Sequence, residues 1–178
     1  MRLRTLPVSI AGVITAIGYN VLDGTFMALP AVLCLVFAVL AQIASNFANE
    51  YYDYRDGLDR PGREGPRRGV TEGDISPRAM KAATFAVLGV ACVVGCSLII
   101  WGGWWLLLAG TMIAAGAMAY SAGPYPLSRH GFGEVAVFFF FGIIPVNLTY
   151  YIQAGTFETD VFWGSVAIGL MGANVLIV

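Results

Sequence analysis

Gln42, Asn46, Asn49, Asp53 and Asp56 follow one another at intervals of +4, +3, +4 and +3. On a helix that spacing lines them along a single face, while Ile43, Ala44, Phe47 and Ala48 keep the opposite side apolar. A row of amide and carboxylate oxygens is a donor set for a hard cation. Mg²⁺ typically takes one or two carboxylates and leaves its other positions to water and substrate phosphates. The competing explanation is that the row simply carries the helix out into water. It accounts for Asp53 onward but poorly for Gln42, Asn46 and Asn49, which continue an apolar run. At membrane depth polar groups are costly, about 2.5 to 3.5 kcal/mol for an Asp at a helix centre, so a stripe of them must face other helices or a wet cavity.

The residues that follow add phosphate-binding chemistry. Positions 60 to 69 contain Arg60, Arg63, Arg67 and Arg68 among glycines and prolines. Guanidinium forks bind phosphate oxygens bidentately, and the Gly and Pro residues let a loop fold back over a pocket. Membrane topology alone could also place Arg67 and Arg68 here, and the residue types do not separate the two explanations. Ser76 and Pro77 then form a good N-cap and first-turn pair for the next helix.

These groups need helices to hold them, and the composition says in what solvent. Of 178 residues, 58% are hydrophobic and 12% charged, against the roughly 25% charged of a soluble domain; mean hydropathy is +0.74. Most of the surface must therefore face lipid, and the expected fold is an all-α polytopic transmembrane bundle. Six apolar segments run at about 6–22, 26–49, 79–101, 104–121, 132–153 and 157–178, each near the roughly 20 residues that cross a bilayer as a helix. Barrel strands would be about half as long and would alternate. The 22 glycines suit close helix packing in lipid. The chain reads as one transmembrane domain over 1–178, with a loop at 50–78 covering the site.

The charge is concentrated. Seven of the ten Lys and Arg residues and seven of the eleven acids lie between positions 50 and 81. Alternate connections divide into two sets: the N-terminus, the 50–78 loop and the Gly123–Gly131 turn carry nine of the ten basic residues, and the other set carries none. By the positive-inside rule the basic set is cytoplasmic, which places the site on the inner face of the cell inner (plasma) membrane. Trp101, Trp104 and Trp105 at the opposite face read as an interfacial belt. Cys34, Cys92 and Cys96 lie in apolar runs and serve as small apolar residues. His130 reads as loop surface. No small-residue cleavage site follows the first apolar run, so no cleavable signal peptide is expected. Segment six ends without a flanking charge or cap, so the chain is expected to be part of a longer one.

Several motifs in order resemble the UbiA-type intramembrane prenyltransferases. Asn49-Glu50-Tyr51-Tyr52-Asp53 is similar to that family's first Asn-Asp-x-x-Asp motif. The stretch 45–69 with Gly65-Pro66-Arg67-Arg68-Gly69, together with Arg2-Leu3-Arg4-Thr5-Leu6-Pro7, Tyr120–Leu127, Gly131–Glu134 followed by Phe-Phe-Gly, and Tyr150-Tyr151-x-Gln153, resembles the branch that prenylates 1,4-dihydroxy-2-naphthoate in menaquinone synthesis. Two departures stand out. Glu50 occupies a position that is often Asp, and Gly57 replaces a further acid, with Asp56 and Asp59 alongside.

The resemblance implies a fold of nine transmembrane helices, six of them present here. A second Asp-rich motif would lie beyond Val178, so the chain by itself is expected to be inactive. The implied activity is Mg²⁺-dependent transfer of a polyprenyl group from an allylic diphosphate to the aromatic acid, giving demethylmenaquinone. Asn49 and Asp53, with Asp56 or Asp59, would hold metal. Arg67, Arg68 and Arg129 would grip phosphate. Tyr120 and Tyr150 would shield the allylic cation with their π faces, and Arg2 or Arg4 would meet the carboxylate of the acceptor. Asn46 would line the substrate pocket, and Glu134 is either a paired structural acid or an orienting group for an arginine. The implied partners are the two substrates and the lipid bilayer; no nucleic acid is expected, and the oligomeric state stays open. The alternatives are a sister enzyme acting on 4-hydroxybenzoate, haem or another quinone precursor, and a cation transporter. A transporter would line the full membrane depth with polar groups, whereas here the polarity ends near Gln42.

Overall fold

A computed structural model describes residues 5–59, 67–123 and 125–177. Among them all regular structure is helical: α1 Leu6–Leu22, α2 Ala28–Arg55, α3 Pro77–Ser97, α4 Ile99–Gly102, α5 Leu106–Ala119, α6 Gly133–Val137, α7 Ile144–Ala154 and α8 Thr159–Ile177. A π-helical segment, Phe138–Ile143, joins α6 to α7. Three helical runs are long and apolar enough to cross a membrane, namely Ala28–Arg55, Pro77–Gly102 and Gly133–Ala154, and Leu6–Leu22 and Leu106–Ala119 are shorter apolar helices. The result is a multi-pass helical bundle. Large apolar residues on its outside, such as Leu22, Val93, Ile100 and Leu108, are more than half exposed, as lipid-facing side chains are.

Local chemistry sets the helix ends. Ser76 caps α3, its hydroxyl accepting the N–H of Ala79 at 3.2 Å, with Pro77 in the first turn, as the sequence leads one to expect. α2 is longer than its apolar run. It continues past Asn49 to Arg55 and stops where Gly57 adopts φ +71°, a left-handed conformation that glycine takes without steric cost. The connection expected to begin at residue 50 therefore begins six residues later, because backbone hydrogen bonding and helix-compatible side chains carry α2 on after hydrophobicity ends.

α2 packs most extensively on α3, while α1 lies against α2, α7 and α8. The π turn has a local cause. Pro145 lacks the N–H that would reach the carbonyl of Phe141 and crowds that carbonyl, so the backbone slips into a wider turn. α1 closes on this widened turn at Gly12, where a Cβ would meet the Phe141 carbonyl oxygen at 2.7 Å. α8 crosses it at Gly142 and Gly169, whose backbones are too close for either residue to carry a side chain without displacement.

Contacts sort the connections to two ends. At one, Thr5 meets Asn46, Asn49 meets Ser121 and Arg129 meets Asp53. At the other, Tyr150 meets Asp23, Gln153 meets the backbone of Met27, and Trp105 packs on Tyr151 and Phe157. This far end is less apolar than the sequence suggests. Asn20 is fully buried; it accepts from the Gln153 amide at 2.8 Å and donates to Thr25 at 2.9 Å. These groups satisfy one another and clamp α1 and α2 to the end of α7.

Candidate functional site

At the charged end four residues of the predicted stripe face inward, and the fifth, Asp56, is exposed. Gln42, Asn46 and Asn49 are buried and Asp53 is mostly covered. Two polar layers follow from this. In the deeper one, Gln42 donates to the Thr5 hydroxyl at 2.8 Å and to Asn46 Oδ1 at 3.3 Å, while Asn46 Nδ2 donates to Thr5 at 3.2 Å. Thr5 precedes α1, so this layer ties the start of the first helix to the second.

The outer layer centres on Asp53. Its Oδ2 faces Arg68 Nη2 at 3.4 Å and its Oδ1 faces Arg129 Nη2 at 3.4 Å. Arg68 is buried and uses each of its nitrogens: Nη1 donates to Asn49 Oδ1 at 3.4 Å, Nη2 faces Asp53, and Nε lies 3.4 Å from Asp59 Oδ2. Arg129 arrives from the turn before α6 and pairs with Asp56 Oδ2 at 2.6 Å; Arg55 holds the other Asp56 oxygen at 2.7 Å. The Arg55 guanidinium beside it, and then that of Arg129, hold the Asp56 carboxyl below its ordinary range. Asp53 is thus the hub between two arginines brought in by two separate connections.

An apolar chamber opens directly beneath. A cavity of about 480 Å³ is lined by residues such as Phe37, Ala41, Leu88, Ala114, Phe140 and Leu148, and Gln42, Ser45 and Tyr120 stand among its polar residues. Tyr120 ends α5, and its neighbour Ser121 is buried and accepts a hydrogen bond from the Asn49 amide at 3.1 Å. One short segment, 120–121, therefore touches both the chamber and the polar cluster.

Not every expected residue joins the cluster. Arg67 points the other way: its guanidinium binds Asp74 bidentately at 2.9 and 2.8 Å on the exposed side of the connection. Each group shifts the other, Arg67 lowering the Asp74 carboxyl. Tyr150 is buried at the far end, where its hydroxyl donates to Asp23 at 2.7 Å. α1 alone separates Asp23 from Thr5 by roughly 26 Å at 1.5 Å per residue, so the expected shielding of a cation by Tyr150 does not fit its position. Glu134 is exposed in the first turn of α6. His130 lies in the exposed turn, stacked on Tyr125 with ring centroids 3.5 Å apart. Arg2 and Arg4 lie outside the described residues. Sequence reasoning overlooked Ser121, Thr5 and the burial of Glu50. Ser121 had a signal, a small polar residue immediately after an apolar segment, but its partner could be named only in three dimensions.

Among the described residues no group of three or more His, Cys, Asp or Glu side chains converges as a preformed metal cage. The donors fit a different use. Asn49 Oδ1 and Asp53 Oδ2 both lie 3.4 Å from Arg68, which places an amide and a carboxylate oxygen on one small patch. That number of protein ligands suits Mg²⁺ bound jointly with phosphate oxygens and water.

The UbiA prenyltransferase family profile matches residues 6–178. The chain is 33% identical to the 1,4-dihydroxy-2-naphthoate octaprenyltransferase of Haemophilus influenzae, over 98% of this chain and 59% of that protein. It is 35% identical to the protein of the same name from Escherichia coli K12, over 99% and 59%, and 35% identical to that of Mycobacterium tuberculosis, over 99% and 60%. The chain thus spans about three-fifths of the length of these relatives. No solved structure matches it. With the fold, the chamber and the profile in agreement, the chain belongs to the UbiA prenyltransferase family.

Proposed function

We propose that the protein transfers a polyprenyl group from an allylic diphosphate to 1,4-dihydroxy-2-naphthoate, as the names of its relatives suggest, at the charged end of the bundle facing the cytoplasm across the inner membrane. The observation that carries this reading is the direct stacking of the Asp53–Arg68–Arg129 cluster on an apolar chamber, with Tyr120 and Ser121 at the junction. An allylic diphosphate has this polarity: an anionic head and a long apolar tail. The head belongs beside the arginines, the tail in the chamber and the adjoining lipid.

Charge supports a metal requirement. Within the cluster the carboxylates of Asp53, Asp56 and Asp59 stand against the guanidiniums of Arg55, Arg68 and Arg129. Among the described residues this set is formally neutral, so cations entering with an anionic diphosphate would favour its binding there. Mg²⁺, when bound, would neutralise charge on the leaving diphosphate. Asn49, Asp53 and one of Asp56 and Asp59 would carry it. Arg68 and Arg129, which face Asp53 at 3.4 Å, would turn to the phosphate oxygens and stabilise charge that grows as the allylic C–O bond breaks. Tyr120, at the roof of the chamber, would place its π face beside the allylic carbon. The bonding electrons leave with the diphosphate, and the electron-rich ring attacks the allylic carbon. The ring then regains aromaticity as the carboxylate on the attacked carbon leaves as CO₂, its bonding electrons returning to the ring, which gives the prenylated hydroquinone. Water is scarce in an apolar chamber, which disfavours capture of the cation by hydrolysis.

The test is transfer in membranes carrying the full-length protein that includes this chain, using radiolabelled polyprenyl diphosphate with 1,4-dihydroxy-2-naphthoate or 4-hydroxybenzoate, in Mg²⁺ or in EDTA. Labelled demethylmenaquinol, recovered as demethylmenaquinone after oxidation in air, is expected only with naphthoate and Mg²⁺. Equal product in EDTA removes the metal, and transfer to hydroxybenzoate instead identifies a sister enzyme.

A further inference from the structure

Glu50 stands beside the stripe but off its line, and nothing in the proposed chemistry uses it. It is 2% exposed and heads the largest fully buried side chains. Its Oε1 accepts the backbone N–H of Val70 at 3.2 Å, twenty residues along the chain. The segment it holds is a compact strap. Glu72 N–H bonds the Arg68 carbonyl at 3.0 Å, Gly73 N–H that of Val70 at 3.2 Å, and Ile75 N–H that of Gly69 at 2.9 Å. Val70 is 3% exposed. Gly69 is pressed between α2 and the strap's own turn, since a Cβ there would lie 3.5 Å from Glu50 Oε1 and 3.0 Å from Ile75 Cδ1. Arg68 lies two residues from the held N–H, and its guanidinium reaches Asn49, Asp53 and Asp59.

We propose that Glu50 is a positioning residue. It holds the strap through the Val70 N–H and so sets the register of Arg68 against Asp53, rather than donating an oxygen to a cation. The reasoning is one of reach and chemistry. A backbone N–H needs an acceptor oxygen at the end of a side chain of this length, which Gln supplies as well as Glu. Asp is shorter by one carbon, which withdraws the oxygen by roughly 1.5 Å and takes a 3.2 Å contact out of hydrogen-bonding range. A metal ligand would have the opposite preference, because Gln removes the negative charge that draws a cation and Asp retains it. The two roles therefore rank Gln and Asp in reverse order, and the ranking decides between them.

The consequence for turnover rests on the prenyl-transfer reading; the strap itself does not, and the experiment separates them. Glu50→Gln, Glu50→Asp and Glu50→Ala would be compared in membranes carrying the protein, after normalising for inserted protein. The first readout is the rate of trypsin cleavage after Arg67 and Arg68, which reports release of the strap without any substrate. The second is KM for the allylic diphosphate, kcat and the Mg²⁺ concentration for half-maximal rate. The Gln variant should be cleaved at the wild-type rate and keep its kinetic constants within about threefold, whereas Asp and Ala should be cleaved about five- to tenfold faster, as expected for loss of one buried hydrogen bond. Their KM should rise by a similar factor with the Mg²⁺ requirement unchanged. If Asp outperforms Gln, or if Gln raises the Mg²⁺ requirement about tenfold, Glu50 is a ligand and the proposal fails. Equal cleavage of all three variants also overturns it. Wild-type membranes that transfer no prenyl group would refute the enzymatic reading instead, and the cleavage ranking would still judge the strap.

Discussion

Replacing Asp53 by Asn removes the charge that two arginines share while leaving a side chain of the same shape. Removing one partner of a buried ion pair costs about 3 to 5 kcal/mol when the other charge is stranded. Neither arginine would be stranded here: Arg68 retains Asp59 at 3.4 Å and Arg129 retains Asp56 at 2.6 Å. Both contacts to Asp53 are also long, at 3.4 Å, and its side chain is 15% exposed. The stability loss should therefore fall to about 1 to 2 kcal/mol, closer to one charged hydrogen bond than to a buried pair. For a chain of this size that lowers the melting midpoint by roughly 2 to 8 °C, and the protein still inserts. Activity should suffer far more. Losing a charged group that organises the donors around a leaving anion is worth about 100- to 1,000-fold in kcat. The assay is initial-rate prenyl transfer by Asp53→Asn and wild-type protein in matched membranes, with melting of the detergent-purified proteins in parallel. Transfer within about threefold of wild type by a correctly inserted variant would refute the role given to Asp53. A collapse of the melting transition would show instead that Asp53 matters for folding.

Three further outcomes follow from the same contacts. The Asp56 carboxyl is held below its ordinary value, by Arg55 first and Arg129 second, so its tether to Arg129 is fully present above the unfolded-state pKa and fades as pH falls through the depressed one. Hydrogen exchange in the 127–132 turn should be level, after correction for intrinsic rates, from about pH 8 to about pH 5 and lose protection only below about pH 4; Asp56→Asn should remove that acid limb. Gly142→Ala places a methyl group against the backbone of Gly169, and should lower stability by about 1 to 3 kcal/mol through overpacking, read as a lower melting midpoint; an unchanged midpoint would mean the helices separate freely there. Tyr150→Phe loses only the hydroxyl bond to Asp23, costing about 1 kcal/mol and leaving KM and kcat within about twofold, whereas a tenfold fall in kcat would return Tyr150 to the chemistry.

The sequence alone determined the helical membrane bundle, the inward face of α2 and the segregation of connections, because each rests on local properties. Six apolar runs can satisfy their backbone hydrogen bonds in lipid only as helices, and the polar row at helical spacing on α2 occupies a single face. The cap of α3 was equally readable, since Ser76 and Pro77 act within one turn. What tertiary structure decided is which side chains those faces meet. Two adjacent arginines look equivalent in the sequence, yet the turn of the strap sends Arg68 into the cluster and Arg67 out to Asp74. Tyr120 and Tyr150 both begin conspicuous motifs, but helix direction carries them to opposite ends of the bundle. Asp53 becomes a hub only because Arg129, 76 residues downstream, returns to it. Such pairings depend on the path of the chain through the fold, and no local spacing encodes that path.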